Sequence, residues 1–190
     1  MAHSNHNHII AALQNAYPFD DKSTTLLDFA CGKGLISRGL APYCKRIVAV
    51  DRLQTSVDFF EERVHNQGIP EDELHVVCAE LQGHDSELDG EKFDVVVCSA
   101  AYHHLESIEA TTGVLAFFLK PGGYLLVVDF MTSDKAIPED VPHRFGFSKD
   151  QICAAFEGAG LIEVDFEQLS SARFHGQTVD LFLARGKKSS

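Results

Sequence analysis

Leu26-Leu27-Asp28-Phe29-Ala30-Cys31-Gly32-Lys33-Gly34 runs from an apolar strand through an acidic residue into a small-residue turn, and a helix begins near Leu35. Glycines at 32 and 34 let the backbone turn tightly and approach a ligand, because neither carries a Cβ that would stand in the way. The helix that follows turns its free N–H groups toward whatever the turn holds. Asp28 adds a carboxylate that suits a ligand bearing an amine or hydroxyls better than one bearing a pyrophosphate. Gly-rich turns of this kind are common, so the rest of the chain has to decide what this one means.

Outward from the turn, apolar runs of strand length alternate with helical patterns nearly to the end, which predicts a βαβ parallel sheet. A short helix is expected over 9–16 and the first strand over 25–30, followed by a helix to about Ala41 that Pro42 stops. The second strand covers 46–50 and ends at Asp51. A helix over 55–66 places Val57, Phe60 and Val64 on one face and closes at Gly68. Residues 74–78 form the third strand, 82–92 a loop, and 93–98 a fourth strand apolar enough to be buried on both faces. A helix over 107–119 and a Pro121-Gly122-Gly123 turn lead into a fifth strand over 124–129. The stretch 131–144 reads as a loop too polar to be core. Ser148 caps a helix ending at Gly158 or Gly160. Two last strands, 161–168 and 178–184, follow one another without a helix and so pair antiparallel.

The chain has 190 residues, with 16 Lys and Arg against 28 Asp and Glu, a formal charge of −12. That balance repels phosphate backbones, so no nucleic-acid partner is expected. The basic group Arg185-Gly186-Lys187-Lys188 reads as a solvated end. Five cysteines form no CxxC pair and no metal-finger spacing, which fits free thiols in a cytoplasmic protein. No apolar run is long enough for a membrane span. The histidine-rich start, 1–8, reads as a polar or disordered cap rather than a metal site. One domain over 1–190 is expected: a short cap over 1–24, a core over 25–184 and a flexible tail over 185–190.

Open α/β sheets bind ligands beyond the C-terminal ends of their strands, where the strand order reverses. After the glycine turn, the second such end carries Asp51, placed to accept both hydroxyls of a ribose. The third carries Glu80, after Val76-Val77-Cys78-Ala79. The fourth opens into Cys98-Ser99-Ala100-Ala101-Tyr102-His103-His104-Leu105. A dinucleotide oxidoreductase would want a third glycine three residues after Gly34, and Ser37 stands there.

Taken in order, these segments resemble the class I S-adenosylmethionine-dependent methyltransferases. Residues 28–34 match the family's acidic-x-Gly-x-Gly-x-Gly motif, with Ala30 in place of the first glycine. Residues 98–105 look like its motif IV, and Leu119-Lys120-Pro121-Gly122-Gly123 is similar to its LxPGG turn. The resemblance implies an α/β fold, a Rossmann-like doubly wound sheet of seven strands, mostly parallel with an antiparallel last strand and helices on both faces. It implies S-adenosyl-L-methionine as cofactor and a methyl transfer to O, N, S or C of a small-molecule acceptor, as in ubiquinone- and menaquinone-pathway and secondary-metabolite members. A catalytically silent binding or regulatory partner, and a protein methyltransferase with 131–147 framing a peptide groove, are the alternatives.

By the same resemblance, Asp28 and the Ala30, Cys31, Gly32 and Gly34 backbone would hold the methionine end, and Asp51 the ribose. Leu53 packs on the adenine and Glu80 meets its amino edge, with Arg52, Ala79 and Leu81 beside them in the cofactor set. Ser99 joins this cofactor set from the fourth strand. Histidine is the usual base near neutral pH, and the candidates rank His103, then His143, then His104. No metal is implied, because metal-assisted catechol-type members place an Asp at the end of the fourth strand, where this chain has Cys98-Ser99. Ile9, Ile10, Leu13 and Tyr17 are too few apolar contacts to roof cofactor and acceptor together. The acceptor side is therefore expected to be open, with Tyr102, His103 and the loop over 131–147 at its rim, and covered by ligand, a second copy or a partner subunit.

Overall fold

Five runs rich in Val, Ile and Leu become parallel strands: β1 (Thr25–Phe29), β2 (Arg46–Asp51), β3 (Leu74–Cys78), β4 (Phe93–Ser99) and β5 (Leu119–Phe130). The computed structural model describes residues 2–174 and 176–190, with side chains from Asn7 onward. With β6 (Leu161–Gln168) and β9 (Leu181–Lys188), these strands form one sheet in the order β3-β2-β1-β4-β5-β9-β6. β9 runs antiparallel to both β5 and β6. The seven-stranded, mostly parallel architecture expected from the sequence is the one observed.

Successive strand residues point to opposite faces, and both faces are covered. Leu26, Ala49, Val95 and Val97 pack beneath α1 (Ala2–Ala16), α2 (Leu35–Leu40) and α3 (Gln54–Gln67). Leu27, Val50, Val96 and Cys98 pack beneath α4 (Ile108–Phe117) and α5 (Lys149–Gly158). The strand order reverses between β1 and β4, and this opens the crevice in which the glycine turn stands. Helix ends follow their local signals. Gly68 closes α3 at φ 65, and Ser148 caps α5 in a reciprocal box with Gln151. Among the described residues, no helix is long and apolar enough to cross a membrane.

The structure corrects several sequence expectations. α1 begins at Ala2 rather than at residue 9, and Leu13 is completely buried, a contact worth about 2 kcal/mol that docks the helix. The side chains of 1–6 lie outside the described residues. The expected Pro121-Gly122-Gly123 turn lies inside β5, which starts at Leu119 and bulges between its pairings with Phe93 and Val95. A Cβ on Gly123 would stand 3.0 Å from the Asp94 and Lys120 carbonyl oxygens, so the bulge needs glycine there. The stretch 131–144 is not all surface, because Ile137 is 3% exposed within the core. The predicted strand over 178–184 divides: Asp180 separates β8 (Gln177–Val179), which forms a hairpin with β7 (Ala172–Phe174), from β9.

The tail expected to be flexible over 185–190 is strand as far as Lys188. Lys188 Nζ donates to the carbonyls of Ala116 and Leu119, both at 2.9 Å, closing the C-terminal end of α4, and Arg185 donates to the Ala16 carbonyl at 3.2 Å. The basic group reads as solvent-facing in sequence because its charges hide what the alkyl stems and donors do.

Candidate functional site

The glycine turn is built from backbone strain on one side and packing on the other. Ala30, just past β1, sits at φ 56, and Gly32 and Gly34 follow at φ 51 and φ 70. The two glycines serve different ends. A Cβ on Gly34 would lie 2.1 Å from the Phe60 ring, so this glycine lets α3 pack close. A Cβ on Gly32 would meet nothing within 4 Å, so the open wall of the turn is at Gly32.

Asp28 lies beneath this turn and is 1% exposed. Its Oδ2 accepts from the Ser37 amide at 3.1 Å and the Ser37 hydroxyl at 2.5 Å. Ser37, the residue that departs from the dinucleotide pattern, thus ties the first turn of α2 to β1. Burial pushes the Asp28 carboxyl up to about 7, against the pull of the two Ser37 hydrogen bonds.

Asp51 ends β2 and joins the turn to the next loop. Its Oδ2 accepts from the Gly32 amide and its Oδ1 from the Leu53 amide, both at 2.9 Å. A carboxylate has about four lone-pair positions, so two such bonds leave acceptor capacity for a ligand's hydroxyls. Around it, Arg52, Leu53 and Glu80 are exposed, with Leu53 at 54%. The Ala79 amide donates to the Asp51 carbonyl at 3.1 Å, which holds the third strand end against the second. Cys31, two residues past β1, and Ser99, the last residue of β4, are half-buried, whereas the Leu81 side chain turns into the core.

The histidines sit beyond β4 and β5. A single 3₁₀ turn, Tyr102–His104, follows β4. Tyr102, expected at the rim, is instead fully buried, with its hydroxyl 2.9 Å from that of Thr112 and its ring edge-on to Phe147. An aromatic ring preceded by Ala100 and Ala101 has an apolar pocket under α4 to fill, and it takes that pocket. His103 is also buried, at 1% exposure. Its Nδ1 stands 2.9 Å from Asp129 Oδ1 and 3.2 Å from Oδ2, at the end of β5. The pairing with a carboxylate assigns the proton to Nδ1 and leaves the electron pair on Nε2. That Nε2 is buried and has no hydrogen-bond partner among the described residues.

His104 is half-exposed, and burial together with His103 holds its imidazole below the usual range. The His143 ring lies tilted against Phe147, centroids 4.7 Å apart, and its backbone amide donates to the His103 carbonyl. Its Nε2 is buried without a hydrogen-bond partner among the described residues. The segments carrying His103 and His143 are thus joined through their backbones, and Glu139 meets the rings of His103 and His104, with Oε2 3.9 Å from His103 Nε2 and 3.7 Å from His104 Nε2.

Sequence reading missed Asp129 and Glu139. Asp129 had a usable signal, since it closes the apolar run Leu125–Val128 just as Asp51 closes Ile47–Val50. Glu139 had none, because it is one acid among several in a polar segment.

The methyltransferase domain family matches residues 27–127. An uncharacterised methyltransferase of Schizosaccharomyces pombe is 37% identical over 166 residues, 78% of this chain and 57% of its own length. A ubiquinone biosynthesis O-methyltransferase of Rickettsia felis is 26% identical over 62% of this chain and 46% of its own. The chain thus spans about half the length of these curated relatives. Among solved structures, a SAM-dependent methyltransferase from Aquifex aeolicus superposes with a TM-score of 0.69 at 18% identity, covering 93% of this chain and 87% of that one.

Proposed function

Since the chain belongs to the class I S-adenosylmethionine-dependent methyltransferases, we propose that it methylates a small-molecule acceptor in the cytoplasm. The observation that carries this reading is the joined pair of Gly32 and Asp51, an open backbone wall locked to a strand-end carboxylate by a 2.9 Å hydrogen bond. When bound, S-adenosylmethionine supplies an activated methyl carbon on a sulfonium. The space beside Gly32 fits the methionine end, with the Ala30-Cys31 backbone alongside and Asp28 bracing the turn from below. Asp51 accepts from the ribose hydroxyls. Leu53 covers the adenine from its exposed position, and Glu80 accepts from the amino edge. Alignment of this kind supplies roughly 7–11 kcal/mol of a transfer barrier, so most of the protein's work is positioning.

The acceptor faces the histidine group beyond β4 and β5. Of the three histidines, His103 presents an oriented electron pair on Nε2, because Asp129 fixes its tautomer. The net charge of −12 and the named ubiquinone-pathway relative both support a small molecule over a polyanion.

Calorimetric titration with S-adenosylhomocysteine tests this reading. The wild-type chain should bind it. Asp51→Ala should weaken binding by roughly 10- to 150-fold, the loss of about 1.5–3 kcal/mol from a charge-assisted acceptor. A folded wild type that does not bind, or an Asp51→Ala variant that binds equally well, overturns the assignment.

A further inference from the structure

Three ligand atoms, from His103, His104 and Glu139, lie within 4.8 Å of one another beyond β4 and β5. At 3.9 Å and 3.7 Å, the contacts of Glu139 Oε2 with the two Nε2 atoms are too long for hydrogen bonds. They come close to the edge of a tetrahedron, about 3.3–3.4 Å, that metal bonds of about 2.0–2.1 Å would set. A second observation points the same way. His103 Nε2 is buried with no hydrogen-bond partner among the described residues and is aimed into this cluster. Its other nitrogen is held by the Asp129 carboxylate, the arrangement that orients a ligating imidazole and raises its basicity.

We propose that His103 Nε2, His104 Nε2 and a Glu139 carboxylate oxygen bind one divalent ion of the zinc class. Two imidazoles and one carboxylate suit zinc and its neighbours, whereas magnesium and calcium take oxygen ligands. Three protein ligands leave a position open to water or to an acceptor oxygen, the composition of a catalytic rather than a closed structural site. The ion is reachable from solvent, because the His104 side chain is 49% exposed and that of Glu139 25%.

That the strand-end Asp of metal-assisted members is missing does not bear on this site, whose ligands come from the turn after β4 and the segment after β5. The part of the proposal that rests on the methyl-transfer reading is what fills the open position. An acceptor hydroxyl bound there would lose its proton to water more readily.

The test uses the full chain, stripped by chelator and titrated with Zn²⁺ by calorimetry and with Co²⁺ by visible absorption. One ion per chain is expected, with cobalt bands of low-coordinate intensity. His104→Ala, at an exposed position, should weaken binding at least tenfold with melting of the metal-free protein unchanged, and Glu139→Gln should weaken it at least tenfold in a chain still folded by circular dichroism. A chain in which His3, His6 and His8 are all alanine should keep the ion. No bound ion, binding that both site variants leave intact, or binding that the N-terminal changes abolish overturns the proposal. S-adenosylhomocysteine binding on the same samples tests the preceding reading separately, so failure of one is distinguishable from failure of the other.

Discussion

Replacing each turn glycine by alanine separates packing from ligand approach. Gly34→Ala would place a methyl group 2.1–2.4 Å from three Phe60 ring atoms, and Phe60, on the inner face of α3, is fully buried. Ordinary carbon contacts begin near 3.5 Å, so the ring would have to move by more than an ångström. The left-handed φ of 70 adds about 1–2 kcal/mol for any Cβ, and overpacking a full core adds about 1–3 kcal/mol. The sum, about 2–5 kcal/mol, is a large share of a stability near 5–15 kcal/mol. Gly32→Ala carries the φ cost alone, because its Cβ meets open space. Urea denaturation should therefore show Gly34→Ala less stable than Gly32→Ala by about 1–3 kcal/mol. Phe60→Leu should return most of that difference in a double-mutant cycle. Calorimetry should show the reverse order for S-adenosylhomocysteine, with Gly32→Ala the weaker binder. Equal stability of the two variants, or no coupling between positions 34 and 60, would refute the division of labour argued for the turn.

Two further outcomes follow from buried polar groups. With burial raising the Asp28 carboxyl to about 7 against an ordinary 3.8, the folded state holds a proton that the unfolded chain has released. The stabilisation is full below about pH 4 and is lost as pH rises toward 7, by at most about 4 kcal/mol; Asp28→Asn, measured by denaturation across that range, should remove this slope, and an unchanged slope would show that Asp28 is ionised throughout. Lys188→Met should cost about 1 kcal/mol by stranding the Ala116 and Leu119 carbonyls, the low end of the range because Lys188 is partly solvated, and an unchanged melting temperature would show water serves them equally well.

What the sequence made legible were features with a local cause. The strands declare themselves because both sheet faces are covered, so their runs stay apolar from end to end, as in Val95-Val96-Val97-Cys98. Gly32 and Asp51 are readable as strand-end groups, and Ser148 as a cap three residues before Gln151. What stayed hidden depends on contacts between distant segments. Gly34 looks like its neighbour Gly32 until Phe60 is seen against it. Glu139 and His103 meet only because β4 and β5 are adjacent strands whose following segments converge. Lys187 and Lys188 belong to a strand because Leu161 and Ile162 pair with them, which a charged dipeptide does not announce.

The position of β9 has a consequence for synthesis. It is the last of the sheet's strands to leave the ribosome, yet it occupies an interior slot, with β5 on one side and β6 on the other. Until it emerges, β5 presents an unpaired backbone edge along Leu125-Leu126-Val127-Val128, a segment with strong strand propensity and no charge. At about 5–20 residues per second, the wait between completing β5 and delivering β9 lasts several seconds, far longer than a non-specific encounter needs. The nascent chain is thus exposed to edge-to-edge association during that interval. Whatever shortens that interval, such as fast codons between β5 and β9, should raise the yield of folded protein.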